Sequence, residues 1–197
     1  WSPDSKSIIY VCKKKFGAAY MNSTNTNLYQ YNVESGKTVN LTPDNPGYDT
    51  NPLFYEDGRL AYLSMARDGY ESDKNDIVVL ADGISTNLTR RWDGTVQEII
   101  WGSDGRYIFF TAPVDGTIQL FVVDVPKGKK LPTVEQITEG VWDLRGIVGW
   151  KGKGLLVGRT DMNHAREYYL VNVKKGEMEQ ITHVNDDIYN SLELSRI

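Results

Sequence analysis

Trp1-Ser-Pro-Asp4, Phe54-Tyr-Glu-Asp57 and Trp101-Gly-Ser-Asp104 share one pattern, an aromatic residue followed three positions later by aspartate. Trp150-Lys-Gly-Lys-Gly154 opens a degenerate fourth copy. The aromatic positions are separated by 53, 47 and 49 residues, a period typical of tandem structural repeats. After each comes a continuous apolar run: Ile8–Val11, Leu60–Leu63, Tyr107–Phe110 and Leu155–Val157. Unbroken apolar runs of this length suit strands buried on both faces.

A second landmark keeps the same period. Asn40-Leu41-Thr42, Asn87-Leu88-Thr89, Gln136-Ile137-Thr138 and Gln180-Ile181-Thr182 recur at spacings of 47, 49 and 44 residues. Between the landmarks lies another β-rich stretch: Leu28–Val33, Ile77–Leu80, Leu120–Val125 and Tyr168–Val173. Three of these run into a shared turn, Asn32…Gly36, Asp124…Gly128 and Asn172…Gly176, and in the second copy the turn shortens to Asp82-Gly83. Glycine there permits the positive φ that a tight strand connection needs. A loop after each threonine leads to Thr50–Phe54, Val96–Trp101, Leu144–Trp150 and Tyr189–Ser195, read as the first strand of the next copy. Three of these loops carry an aromatic-Asp pair, Tyr48-Asp49, Trp92-Asp93 and Trp142-Asp143, whose aspartate suits the capping of turn N–H groups.

The pattern predicts an all-β chain, a β-propeller fragment of about four four-stranded antiparallel blades. The blade units fall at approximately 1–49, 50–95, 96–143 and 144–187, with 188–197 a first strand of a further or closing blade. No segment sustains a 3.6-residue period, which excludes a helix-rich fold. The chain opens inside a repeat, so the expectation is a piece of a larger propeller. Its open faces would favour self-association.

At 197 residues, with 40% hydrophobic and 24% charged residues, the composition is that of an ordinary globular protein. A net charge of −4 without a basic stripe gives no ground for a nucleic-acid partner. Lys13–Lys15 reads as a solvated strand end, and no apolar stretch approaches the roughly 20 residues of a membrane span. Cys12 is the sole cysteine, so no intramolecular disulfide forms.

The residues supply no complete catalytic centre. Gly83-Ile-Ser85-Thr-Asn87 has only the first half of a G-x-S-x-G elbow, inside a turn, with no helix to follow. His164 and His183 lie in polar segments without an evident general-base partner, and cysteine and histidine are too few for zinc. Asp73-Lys-Asn-Asp76 and Asp186-Asp187 are weak calcium signals. No cofactor and no metal is expected. The sequons at Asn22, Asn40 and Asn87 include two copies of the Asn-Leu-Thr landmark and report strand grammar.

Two loops exceed what a blade needs, Lys13–Asn27 and Arg67–Asn75. Both join the second and third strands of their copies, so both are expected on one face, where repeat proteins place recognition. In the second, Tyr70 and Glu71 could hold an amine, the carboxylate by charge and the ring by cation–π contact. A charged, solvated loop is the competing reading.

Trp1-Ser-Pro-Asp4-Ser-Lys6 before an apolar strand resembles the repeats of TolB-like propellers and of the prolyl oligopeptidase family of serine peptidases. The tract Tyr62-Leu-Ser-Met-Ala-Arg67-Asp-Gly-Tyr-Glu71-Ser-Asp-Lys74-Asn, with Gly47-Tyr-Asp49-Thr-Asn-Pro52, resembles the propeller of bacterial dipeptidyl-peptidase-five and acylaminoacyl-peptidase-like enzymes. The resemblance implies a parent with a C-terminal α/β-hydrolase domain carrying a Ser-Asp-His triad, outside this chain. It implies short peptide substrates, a propeller that gates access and helps bind their N-terminus, and a periplasmic or secreted location. Tyr70 and Glu71 are then the candidate substrate-binding residues. The alternative is a TolB-like interaction propeller without enzymatic activity.

Overall fold

The computed structural model describes residues 1–128 and 130–195, and its strands follow the repeat. The first module holds β1 (Ser7–Cys12), β2 (Asn27–Asn32) and β3 (Thr38–Asn40), with a five-residue helix α1 (Ala18–Asn22) between β1 and β2. The second holds β4 (Asp49–Phe54), β5 (Leu60–Ser64), β6 (Asp76–Ala81) and β7 (Ile84–Asn87). The third is β8 (Glu98–Trp101), β9 (Tyr107–Val114), β10 (Thr117–Asp124) and β11 (Val134–Gln136). The fourth is β12 (Asp143–Lys151), β13 (Gly154–Thr160), β14 (Glu167–Asn172) and β15 (Met178–Gln180), followed by a short helix α2 (Asp186–Tyr189). Within each module neighbouring strands pair antiparallel in chain order.

Two details depart from four separate four-stranded blades. The first module is a three-stranded sheet, and the third and fourth share one eight-stranded sheet through a single parallel pair, Ile118 with Asp143. The chain forms two compact units, one built on Trp1–Val96 and the other on Gln97–Gly128 with the residues from Thr133 on.

The first landmark is a hairpin turn. Asp4, Asp57 and Asp104 each accept the backbone N–H two residues on, from Lys6, Arg59 and Arg106, at 3.0, 3.1 and 3.0 Å. The residue between has positive φ in each case, 59° at Ser5, 94° at Gly58 and 64° at Gly105. The aspartate therefore closes the turn locally and leaves the following strand free to pair.

The second landmark is a clasp. Its Asn or Gln ends the last strand of each module, β3, β7, β11 or β15, and its threonine reaches back across the sheet. The hydroxyls of Thr42, Thr89, Thr138 and Thr182 accept the N–H of Leu28, Ile77, Leu120 and Tyr168, at 3.1, 2.9, 2.9 and 2.9 Å. Leu28, Ile77 and Tyr168 each stand second in β2, β6 and β14, and Leu120 lies in the middle of β10, so the clasp locks an inner strand of each sheet to the outgoing loop. The side chains of Asn40 and Asn87 in turn accept the N–H of their own threonine. Gln136 and Gln180 donate instead to its carbonyl. Thr42, Thr89 and Thr138 are buried, where a hydroxyl without a partner would be costly.

The apolar run of β5 does what its continuity predicts, whereas Ile8–Val11 in β1 is only partly covered and Val11 is exposed. Leu60, Ala61, Tyr62 and Leu63 are each at most 4% exposed, because both faces of β5 are covered. In the first unit Leu28, Leu60, Tyr62 and Val78 form one core. In the second, Phe109, Leu120, Leu144, Leu155, Val157 and Val171 form another, with Trp150 edge-on to Phe109 at 5.0 Å. Each fully buried leucine contributes roughly 2–3 kcal/mol.

The stretch expected as a strand at Tyr189–Ser195 is not one. Asp186–Tyr189 is helical and the described residues after it carry no strand; Arg196 and Ile197 lie outside the described residues. The apolar residues Ile188, Tyr189, Leu192 and Leu194 mimic a strand pattern. However, the two acidic residues in the first turn suit a helix start, and among the described residues no strand pairs with the segment. Among the described residues no helix is long and apolar enough to cross a membrane.

Candidate functional site

The two long connections of the first unit meet at one carboxylate. Asp68 accepts hydrogen bonds from Ser23 Oγ (2.7 and 2.9 Å) and the Thr24 N–H (2.7 Å), and pairs with Lys15 Nζ at 3.3 Å. The Gly69 N–H returns the contact to Thr24 Oγ1 at 2.9 Å. These donors, with the Ser23 hydroxyl foremost, hold the Asp68 carboxyl far below the usual carboxylate range. The β1–β2 and β5–β6 loops are thus tied together.

The loop entering β4 is drawn into the same place. A Cβ on Gly47 would lie 2.2 Å from the Met65 carbonyl oxygen, so only glycine lets the two backbones approach so closely. Asn25 Nδ2 holds the carbonyls of Asn45 and Gly47 at 3.0 and 3.1 Å. Tyr48 follows, bridged to Thr26. Asp49, at the head of β4, is fully buried. It takes Asn45 Nδ2 on Oδ1 at 2.8 Å, its Oδ2 has no hydrogen-bond partner, and burial pushes its carboxyl up.

Between these loops lies an open hollow of about 550 Å³, lined by Lys13, Met21, Tyr48, Tyr70 and Glu71, with Asn22–Thr24. The structure therefore brings Tyr70 and Glu71 to one cavity. Tyr70 is 52% exposed, and the Arg67 guanidinium covers one face of its ring at 4.1 Å. Arg67 is itself held by Asp73, at 3.0 Å through Nε and 2.6 Å through Nη2. Glu71 stands exposed next to Tyr70. A carboxylate and an aromatic face at the rim of a hollow can receive an ammonium group.

The lysine cluster is busier than a solvated strand end. Lys13 Nζ donates to the Ser23 carbonyl, Lys14 lies 3.8 Å over the Tyr29 ring, and Lys15 belongs to the Asp68 cluster. Both histidines are exposed, yet each has an acidic partner three residues away: His164 Nδ1 lies 2.8 Å from Asp161 and His183 Nδ1 2.9 Å from Asp186. The weak calcium signals are engaged elsewhere, Asp73 by Arg67 and Asp76 by Lys74, Thr89 and Asn87. Among the described residues no cluster of three or more His, Cys, Asp or Glu side chains could hold a metal ion. The Asp68 tie was missed in the sequence because its partners lie 44 to 53 residues away.

Residues 18–196 match the family model described as the dipeptidyl peptidase IV N-terminal region. The chain is 36% identical over 195 residues to a dipeptidyl-peptidase 5 of Porphyromonas gingivalis, covering 98% of this chain and 28% of that protein. It thus spans little more than a quarter of that relative's length. Its fold is similar to that of an acylaminoacyl peptidase solved with Z-Gly-Gly-Phe-chloromethyl ketone, with a TM-score of 0.72, 17% identity, and coverage of 95% of this chain and 27% of that one. It is also similar to the β-propeller domain of the trilobed protease from Pyrococcus furiosus, with a TM-score of 0.66, 15% identity, and coverage of 92% and 53%.

Proposed function

Because the chain belongs to the family of dipeptidyl peptidase IV N-terminal regions, we propose that it is the non-catalytic propeller portion of a serine exopeptidase, gating short peptides and holding their N-terminus. The observation that carries this reading is the 36% identity to a dipeptidyl-peptidase 5 across nearly the whole chain. The Ser-Asp-His triad belongs to a C-terminal α/β-hydrolase domain of the parent, and the parent acts in the periplasm or outside the cell. The propeller contributes position: a peptide whose ammonium is fixed reaches the nucleophile in one register, so the scissile bond is set by distance from the N-terminus.

The hollow lined by Tyr70 and Glu71 is the place for that ammonium. Glu71 supplies the charge, and Tyr70, in contact with Arg67, supplies the ring. The Asp68 tie keeps both loops in place while substrate enters.

The test is made in the parent protein. Glu71→Gln should raise KM for a dipeptidyl 4-nitroanilide by about tenfold or more, the size of one charge-assisted hydrogen bond, with kcat little changed. The same substrate with its amine acylated should show no difference between variant and wild type. An unchanged KM for the free amine removes Glu71 from the site. A parent that turns over neither substrate, and takes up no serine-directed inhibitor, overturns the peptidase reading in favour of an interaction propeller.

A further inference from the structure

The second unit holds a cation whose natural partners are all committed elsewhere. Arg159 sits near the end of β13, and its guanidinium lies between two rings, 5.0 Å from that of Trp142 and 4.9 Å from that of Tyr169. Its Nε is buried with no hydrogen-bond partner, and among the described residues the side chain forms no ion pair. A buried guanidinium N–H without an acceptor is costly, and contact with ring faces does not satisfy it.

Three carboxylates are close enough to raise the question of why none pairs with it. Glu167 lies directly opposite Arg159 in the β13–β14 register. Its carboxylate is instead taken by the Thr182 hydroxyl and by Asn185, through the backbone N–H at 3.2 Å and Nδ2 at 3.0 Å. Asp161, two residues along, accepts the N–H groups of Asn163 and His164, both at 2.8 Å, and His164 Nδ1. Asp186 pairs with His183. Each acid thus serves its own turn, and Arg159 is left facing a hollow of about 330 Å³ whose walls include Asp161, Glu167 and Asp186 themselves, with His164, Gln180 and Tyr189.

We propose that this hollow binds a small monocarboxylate, received by the planar guanidinium of Arg159. The rings flank the guanidinium, and its planar fork offers the two parallel N–H donors that a carboxylate meets. The surrounding acids set the charge limit. They repel a polyanion more strongly than a single carboxylate, so inorganic phosphate is disfavoured. Such a carboxylate ends a peptide chain or sits on an acidic side chain, and the two sources share this chemistry.

The test uses the intact parent protein and the fluorescence of Trp142, which touches the guanidinium, with Trp142→Phe identifying its share of the signal. N-acetylglycine represents a chain terminus and N-acetylglutamate α-amide a side chain; N-acetylglycinamide lacks the carboxylate. Saturable millimolar binding of either acid is expected, the tighter one naming the source, with the neutral amide and phosphate at least tenfold weaker. Arg159→Lys, which keeps the charge and loses the planar fork, should weaken binding several-fold, and Arg159→Gln at least tenfold. Equal binding of the neutral amide, phosphate bound as tightly as the acids, affinity unchanged in Arg159→Gln at wild-type melting temperature, or no saturation by either acid each overturn the proposal.

Discussion

The second and third strands of a module are joined by eleven residues in one place and two in another. Between β5 and β6 the chain runs through residues 65–75, and between β9 and β10 only through Asp115-Gly116. The short connection is a twist-matched hairpin turn, with φ of 47° and 78° at its two residues. The strands on either side are alike: β5 and β6 pair residue for residue from Leu60 with Leu80 to Ser64 with Asp76, and β9 and β10 from Tyr107 with Asp124 to Val114 with Thr117. The framework therefore does not require the long loop. What the eleven residues add is Asp68, which ties two modules' loops together, and Tyr70 and Glu71 at the hollow. Stability is carried by the repeat, and recognition by what departs from it.

The sharpest way to break that division is to strike the repeat itself. Thr138→Val keeps the shape of a buried side chain while removing its hydroxyl, which accepts the Leu120 N–H and donates to Gln119 Oε1, both at 2.9 Å. Two buried polar groups lose their partner, at a cost of about 2 kcal/mol. Chemical denaturation of the intact protein should show that loss, whereas Tyr70→Ala should stay within roughly 0.5 kcal/mol as an exposed loop change. If the two variants are equally stable, the clasp is not what holds the module.

A smaller effect is expected at the short turn. Gly116 has open space where a Cβ would stand, so Gly116→Ala meets no clash and costs only the left-handed backbone, about 1 kcal/mol. No loss in denaturation midpoint would mean that the turn relaxes freely, and that its brevity says little about how firmly β9 and β10 are set.

This division also explains what could be read in advance. The strands were legible because burial on both faces writes itself as an unbroken apolar run, and because the Asp of the turn and the Thr of the clasp act on residues of their own module. The hollow was legible only as loop length and residue type. That Tyr70 shares a cavity with Tyr48, or that Arg67 covers one ring face, depends on how the loops fold over each other. The cage around Arg159 joins Trp142, Arg159 and Tyr169 through strand register, which no local pattern specifies. Tyr189–Ser195 was read as a strand because its apolar residues fall at the place where the repeat calls for one, and a short segment offers too few residues for periodicity to decide.

The finest distinction between the two connections lies in their response to acid. The Asp68 carboxyl is held below its ordinary value of 3.8 by its hydroxyl and N–H donors and by Lys15. The tied loops therefore favour the charged form, and their stabilisation is complete above that value. As pH falls through it toward the lowered one, the untied state binds the proton more readily and the stabilisation is lost. The Thr24 N–H, which donates to Asp68 at 2.7 Å, should begin to lose hydrogen-exchange protection as pH falls from about 5 to about 3, after correction for intrinsic exchange, and should lose more below that. In Asp68→Asn, which keeps an acceptor without the charge, that protection should already be low at neutral pH. The Thr117 amide beside the two-residue turn has no carboxylate to lose and should hold its protection across the same range. Equal behaviour of the two amides would show that the long loops are set by something other than Asp68, because only one of these connections depends on a charge to stay closed.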